Sequence, residues 1–197
     1  MKLCVFQGTF NPIHNGHLAM AQYVKSVYNY DTILFIPAYK PPHKELDDDM
    51  SNHRFQMVKL AVGGEGFFGI SNIEFQNERF SYTYLTILEL YKRYKIEGKI
   101  GFIIGLDAFR ELREWFEADK LKTLVDFIVF PRDLDIDKDR LAFLHYKGYQ
   151  FTIAKMQPIG ISSTNIRKRI EANQNISTLV PTVVLEYINK NGLYREE

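Results

Sequence analysis

The chain has 197 residues, with 25 Lys and Arg against 24 Asp and Glu and a formal charge of +1. That balance argues against a dedicated nucleic-acid binder, which carries a strongly basic face, and against a polybasic membrane anchor. Hydrophobic residues at 46% and charged residues at 25% suit an ordinary globular domain, and the length predicts a single one, 1–197.

No apolar run approaches the roughly 20 residues that span a bilayer. The apolar start Leu3-Cys4-Val5-Phe6 turns polar at Gln7, too short for a signal peptide, so the expected location is the cytoplasm. Asn175-Ile176-Ser177 matches a glycosylation sequon, which has no use in a chain that is not secreted. Cys4 is the only cysteine; an apolar strand pattern around it predicts a buried, inert thiol.

In chain order, Leu3 to Phe6 reads as a buried strand and Asn15 to Tyr28 as a helix, with Leu18, Ala21, Val24, Val27 and Tyr28 on one stripe. Thr32 to Ile36 is a second strand, closed by Pro37, and Tyr39 to Met50 a loop. His53 to Val62 is a second helix with Ser51 as its cap, Phe67 to Phe75 a third strand, and Ser81 to Tyr94 a third helix. Lys99 to Ile104 is a strand, and Asp107 to Leu112 and Glu117 to Leu124 are short helices. Asp126 to Phe130 is a strand stopped by Pro131, and the charged run Asp133 to Arg140 reads as a surface loop. Phe151 to Ala154 is the last strand. Thr164 to Ala172 and Thr182 to Asn189 are helices, with Gly192 as a C-terminal cap glycine. This alternation predicts an α/β fold: a Rossmann-like doubly wound parallel sheet with helices on both faces and a small helical C-terminal part.

Ligands of such sheets bind beyond the carboxyl ends of the strands, so the strand exits carry the information. Gly64-Glu65-Gly66-Phe67-Phe68-Gly69 matches G-x-G-x-x-G, but it lies between a helix and a strand, the reverse of the dinucleotide-binding order, and reads as a turn. The turn after strand 1, Gln7-Gly8-Thr9-Phe10-Asn11-Pro12-Ile13-His14-Asn15-Gly16-His17, is different. Gly8 permits close backbone approach to a ligand, Pro12 stiffens the turn, and Gly16 removes a side chain that could crowd a phosphate. His14 and His17 share one face of a helix N-terminus, where free N–H groups and the positive dipole end favour an anion. The alternatives are a helix cap by one histidine, or a zinc site completed by His43 or His53.

The second motif, Gly160-Ile161-Ser162-Ser163-Thr164-Asn165-Ile166-Arg167, opens a late helix. Ser163 or Thr164 could simply cap it; Arg167, one turn in, could reach a polyphosphate on the same helix end. Paired with the histidine turn, the motif reads as the second half of a triphosphate clamp.

With both motifs in view, the chain resembles the nucleotidyltransferase superfamily marked by H-x-G-H and I-S-S-T-x-x-R. Within it, the chain resembles the bacterial nicotinate-nucleotide adenylyltransferase family over nearly its whole length. The resemblance rests on residues 8–17, Pro41-Pro42-His43-Lys44, Ser81-Tyr82-Thr83, Ile103-Ile104-Gly105-Leu106-Asp107, Trp115, Phe130-Pro131-Arg132, 161–167 and the tail from Leu179 to Tyr194. Two positions depart from it: Gln7 replaces the first glycine of the family's G-G-T-F-D-P, and Asn11 replaces its aspartate.

The resemblance implies transfer of AMP from ATP to nicotinate mononucleotide, giving deamido-NAD and pyrophosphate, with Mg²⁺ brought in by ATP and no protein metal ligand. It implies His14, His17 and Arg167 as catalytic residues. It implies Gly8, Thr9, Phe10, Gly105, Asp107, Arg132, Ser163 and Thr164 around ATP. His43, Lys44, Thr83, Tyr84 and Trp115 fall around the mononucleotide, Trp115 stacking on the pyridine and the amides at Thr83 receiving the carboxylate. Rival readings are the same transfer to nicotinamide mononucleotide or phosphopantetheine, a non-catalytic nucleotide-binding module, and a metal-dependent hydrolase. Nucleic acid and membrane are not expected partners, and the sequence leaves the oligomeric state open.

Overall fold

A computed structural model describes residues 1–42, 48–64, 66–76, 80–131 and 138–195, except for the side chains at 48, 49 and 138–140. In order, the elements are β1 (Leu3–Gly8), α1 (Asn15–Val27), β2 (Thr32–Pro37), α2 (Asp48–Val62) and β3 (Phe68–Ile70). They continue with α3 (Thr83–Arg93), β4 (Ile100–Gly105), α4 (Leu106–Arg110), α5 (Ala118–Leu124) and β5 (Val125–Phe130). The last are α6 (Lys138–Tyr146), β6 (Phe151–Ile153), α7 (Ser163–Glu171) and α8 (Thr182–Lys190).

The six strands form one parallel sheet in the order β3-β2-β1-β4-β5-β6. Both faces are buried, as the continuous apolar strands require. Cys4, Phe6, Ile33, Phe35, Ile103, Ile128 and Phe130 face one core, filled by Ala21 and Val24 of α1, Met57 and Val58 of α2, Ile166 of α7 and Val184 of α8. Their neighbours Leu3, Val5, Leu34, Ile36, Phe102, Ile104, Phe127 and Val129 face the other, filled from α3, α4, α5 and α6. The strand order reverses between β1 and β4, which run side by side. That is the switch point where a crevice opens at the strands' carboxyl ends.

Several expectations are corrected in detail. β3 stops at Ile70, and the rest of the predicted strand is a 3₁₀ turn over Ile73–Gln76. The cause is Glu74, a buried carboxylate that takes side-chain and backbone partners instead of a place in the ladder. Ser51 does not cap α2, which begins at Asp48; it lies inside the helix and donates to the Tyr39 carbonyl at 2.9 Å. The charged stretch expected as a loop to Arg140 gives way to helix α6 at Lys138, held by the buried pair Leu141 and Leu144. The glycines at 64 and 66 do lie between helix and strand, as expected. Gly192 closes α8 at φ +60, with the Leu193 N–H bonding the Ile188 carbonyl and the Gly192 N–H the Asn189 carbonyl. Cys4 is buried, and desolvation pushes its thiol far up, so it is inert. No helix among the described residues is long and apolar enough to cross a membrane.

Candidate active site

A cleft of about 720 Å³ opens where the sheet order reverses. One wall is the β1–α1 turn, with Thr9, Phe10, Asn11, His14 and His17. Opposite are Gly105 at the end of β4, Phe130 and Pro131 at the end of β5, and the segment Met156 to Thr164 leading into α7, with Arg167. The turn after strand 1 and the I-S-S-T-x-x-R motif, far apart in sequence, therefore line one cleft.

His14 is the N-cap of α1. Its Nδ1 accepts the His17 main-chain N–H at 3.3 Å, and the His17 Nδ1 accepts the His14 N–H at 3.3 Å. This is a reciprocal capping box built from two imidazoles instead of the usual hydroxyl and carboxylate. The rings stack at 3.6 Å between centroids, 22° apart, and the edges of Phe6 and Phe10 pack against His17. Each Nδ1 spends its lone pair on a main-chain N–H, so the proton of the neutral ring sits on Nε2. The cap reading is borne out, for both histidines rather than one, and capping uses only the Nδ1 edge of each ring.

The turn itself is gripped from behind. Arg54 of α2 donates to the Thr9 carbonyl at 2.7 Å, Arg167 to the Asn11 carbonyl at 2.7 Å, and the Ser163 hydroxyl to the Pro12 carbonyl at 2.9 Å. The Tyr194 hydroxyl bonds the Asn11 side-chain oxygen at 2.6 Å. Asn11–Pro12 is a cis peptide, and Phe10 takes a left-handed φ of 49. Three carbonyls of the turn, those of Thr9, Asn11 and Pro12, are thus tied to α2 and α7. Neither α1 nor α7 has an acidic residue in its first turn, so neither positive helix end is offset by its own side chains.

Several expected roles change. A Cβ at Gly8 would meet the Phe10 ring at 3.1 Å, and one at Gly16 would meet His14 Nδ1 at 3.0 Å. These glycines make room for the turn's own rings. The cap of α7 is Ser162, which accepts the Asn165 N–H, not Ser163 or Thr164. The Ser163 hydroxyl is committed to Pro12, so what it offers a phosphate is its main-chain N–H. Arg167 is half-buried, with one arm on the turn and the other 3.4 Å from Thr164 Oγ1. Around Gly105 an added Cβ would meet nothing within 4 Å.

Asp107 is exposed in the first turn of α4, whose N-cap is Gly105, so it is not itself a cap. It does not line the cleft, nor do Thr83, Tyr84 and Trp115. Tyr84 and Trp115 pack against the second core. Thr83 and Tyr84 open α3, whose N-cap Tyr82 makes no side-chain cap bond. The rings of Tyr82 and Tyr84 lie 4.7 Å and 6.4 Å from Phe116, next to the half-buried Trp115, which packs edge-on against Phe102. The start of α3 is tied to the β2 exit, the Ser81 N–H bonding the Lys40 carbonyl and the Lys40 N–H the Ser81 hydroxyl. His43, Lys44 and Arg132 lie outside the described residues. His53, the other candidate zinc ligand, meets the Tyr187 hydroxyl at 3.0 Å, and among the described residues no three His, Cys, Asp or Glu gather to hold a metal.

The sequence reading missed Arg54, Glu74 and Tyr194. Arg54 left a signal: it sits on the apolar stripe of α2 with Met57 and Val58, a place for a cation only if it is buried with partners.

The cytidylyltransferase-like family model matches residues 5–169. A protein described as a probable nicotinate-nucleotide adenylyltransferase of Caldicellulosiruptor saccharolyticus is 39% identical over 100% of both chains. One from Staphylococcus epidermidis is 37% identical over 100% of this chain and 98% of its own. Among solved structures, Plasmodium falciparum nicotinic acid mononucleotide adenylyltransferase complexed with NaAD matches with a TM-score of 0.79. It is 21% identical, covers 98% of this chain and 97% of its own, and so attests the fold.

Proposed function

Because this chain belongs to the cytidylyltransferase-like family and, within it, to the nicotinate-nucleotide adenylyltransferases, we propose a division of labour among its residues. The reaction is transfer of AMP from ATP to nicotinate mononucleotide, giving deamido-NAD and pyrophosphate. The mononucleotide's phosphate oxygen forms a bond to the α-phosphorus of ATP as the bond from that phosphorus to the β-phosphate's bridging oxygen breaks. The attacking phosphate is already ionised at neutral pH and needs no general base, so catalysis is alignment plus stabilisation of charge.

The observation that carries this reading is the reciprocal histidine cap facing α7 across one cleft. The Nε2–H groups of His14 and His17 hold the α- and β-phosphates, with main-chain N–H groups of Thr9 and Phe10 beside them. The N-terminus of α7, through Ser163 and Thr164, and the second arm of Arg167 receive the leaving pyrophosphate. The nucleoside occupies the open space at Gly105, with Asp107 toward its ribose and Arg132 toward its base. Trp115 stacks on the pyridine, the amides of Thr83 and Tyr84 receive its carboxylate, and His43 and Lys44 attend its phosphate. Among the described residues lining the cleft there is no carboxylate, so Mg²⁺ would be held by the phosphates of ATP and water, and would offset their charge. The enzyme works in the cytoplasm on this reading.

The test is pyrophosphate release with ATP and Mg²⁺ against nicotinate mononucleotide, nicotinamide mononucleotide and phosphopantetheine. A strong preference for the first is expected. Preference for nicotinamide mononucleotide would remove the carboxylate role of the Thr83 and Tyr84 amides.

A further inference from the structure

Arg54 is fully buried, and burial pulls its guanidinium down to about 10. Glu74 is 6% exposed, and burial pushes its carboxyl above the usual range. No ion pair joins them. Instead, one peptide group stands between. Its carbonyl, from Tyr39, accepts from Arg54 at 3.0 Å, and its N–H, from Lys40, donates to the Ser81 hydroxyl at 3.2 Å. On its other side Tyr39 donates its N–H to the Glu74 carboxylate at 3.3 Å. The string thus runs from the cation through carbonyl and N–H to the Ser81 hydroxyl, while the Glu74 carboxylate holds Tyr39 from its N–H side. The other arm of Arg54 holds the Thr9 carbonyl in the phosphate turn at 2.7 Å. Its Nε is buried without a partner, so the guanidinium is kept for these carbonyls at a desolvation cost.

We propose that this string, Arg54–Tyr39/Lys40–Ser81, backed by Glu74 at the Tyr39 N–H, is a positioning device that couples the turn at Thr9 to the acceptor side of the site. It fixes the root of the loop that leaves β2, and the entry to α3, relative to the ATP turn. It touches neither substrate. The inference rests on the two-substrate reading above. Its consequence is directional. Ser81 lies on the acceptor half of the string, whereas Arg54 belongs to both halves.

The experiment compares steady-state constants of the full-length wild type, Ser81→Ala, Ser81→Thr, Arg54→Lys and the double variant Arg54→Lys/Ser81→Ala. Losing one charge-linked buried bond corresponds to about tenfold. Ser81→Ala therefore raises KM for nicotinate mononucleotide roughly tenfold while KM for ATP moves less than about twofold, and Ser81→Thr, which keeps the hydroxyl, restores it. Arg54→Lys, whose ammonium cannot fork between two carbonyls, raises both KM values and lowers kcat, and the double variant is less impaired than the product of the two singles. An equal rise in both KM values for Ser81→Ala, no kinetic change, or multiplicative effects in the double variant would overturn the coupling. Should Arg54→Lys not fold, the Ser81 pair decides alone. Absence of turnover in the wild type would instead overturn the two-substrate reading.

Discussion

His14 and His17 orient each other: each ring accepts the other residue's main-chain N–H through Nδ1, and the two imidazoles stack at 3.6 Å. Capping therefore uses the Nδ1 edge of each ring and the proposed phosphate contacts the Nε2 edge, so substitution can separate them. Asparagine is a good N-cap, so His14→Asn keeps the cap but loses the Nε2–H donor. The expected outcome is a stability change within about 1 kcal/mol, read by denaturant unfolding, with kcat down about 100-fold or more. Near-wild-type kcat would assign His14 to capping alone.

Gly16→Ala sets two effects against each other. Alanine in a helix gains up to about 1 kcal/mol over glycine. The new Cβ, however, would sit 3.0 Å from His14 Nδ1, against a ring locked into its stack. The expected variant melts at or near the wild-type temperature and loses kcat, since the ring must rotate off its cap. Loss of stability with normal kcat would show that the ring stays and the backbone moves.

Trp115 is half-buried and packs edge-on against Phe102. Trp115→Ala should raise KM for nicotinate mononucleotide well above any change for ATP, because a stacking partner is lost on one side of the site only. Equal effects on both constants would make Trp115 a core residue.

Glu74 gives a pH signature. Burial raises its carboxyl above 4.5, and the nearby Ser81 hydroxyl with the bonds from Thr86, Tyr39 and Gln7 counters only part of the shift. The folded protein then holds this proton more tightly than the unfolded chain. The group's contribution to stability is full below pH 4.5 and is lost as pH rises through the folded value. Glu74→Gln removes that loss, so the wild type minus variant difference in unfolding free energy should fall between pH 4.5 and neutrality. A difference that is flat or rises with pH would show that the hydrogen bonds outweigh burial.

Much of this was legible in the sequence because it rests on local pattern. Continuous apolar strands alternating with 3.6-period helices specify a parallel sheet covered on both faces. The two phosphate motifs announce themselves by histidine spacing and by a serine-rich helix start. What the sequence hid is long-range. Nothing near Glu74 reveals that Gln7, Tyr39 and Thr86 will converge on it, so an apolar run read as strand to Phe75 broke into a 3₁₀ turn. Gln7, a departure from the family glycine, is explained only by that carboxylate, to which its amide donates. The packing around the glycines was hidden in the same way, since the rings they accommodate, Phe10 and His14, lie two residues away on a turn tied to α2 and α7. Helix α6 was masked by charge because its apolar face is just the pair Leu141 and Leu144.

The bond from Tyr194 to Asn11 spans 183 positions, and those to Asn11 and Pro12 from α7 span 156 and 151. A nascent chain that has just emerged can fold β1 and α1, yet its phosphate turn still lacks its grips. Only when translation has passed Tyr194 is every hand on the turn. The turn's final shape is therefore set by contacts that span most of the sequence, not by β1 and α1 alone.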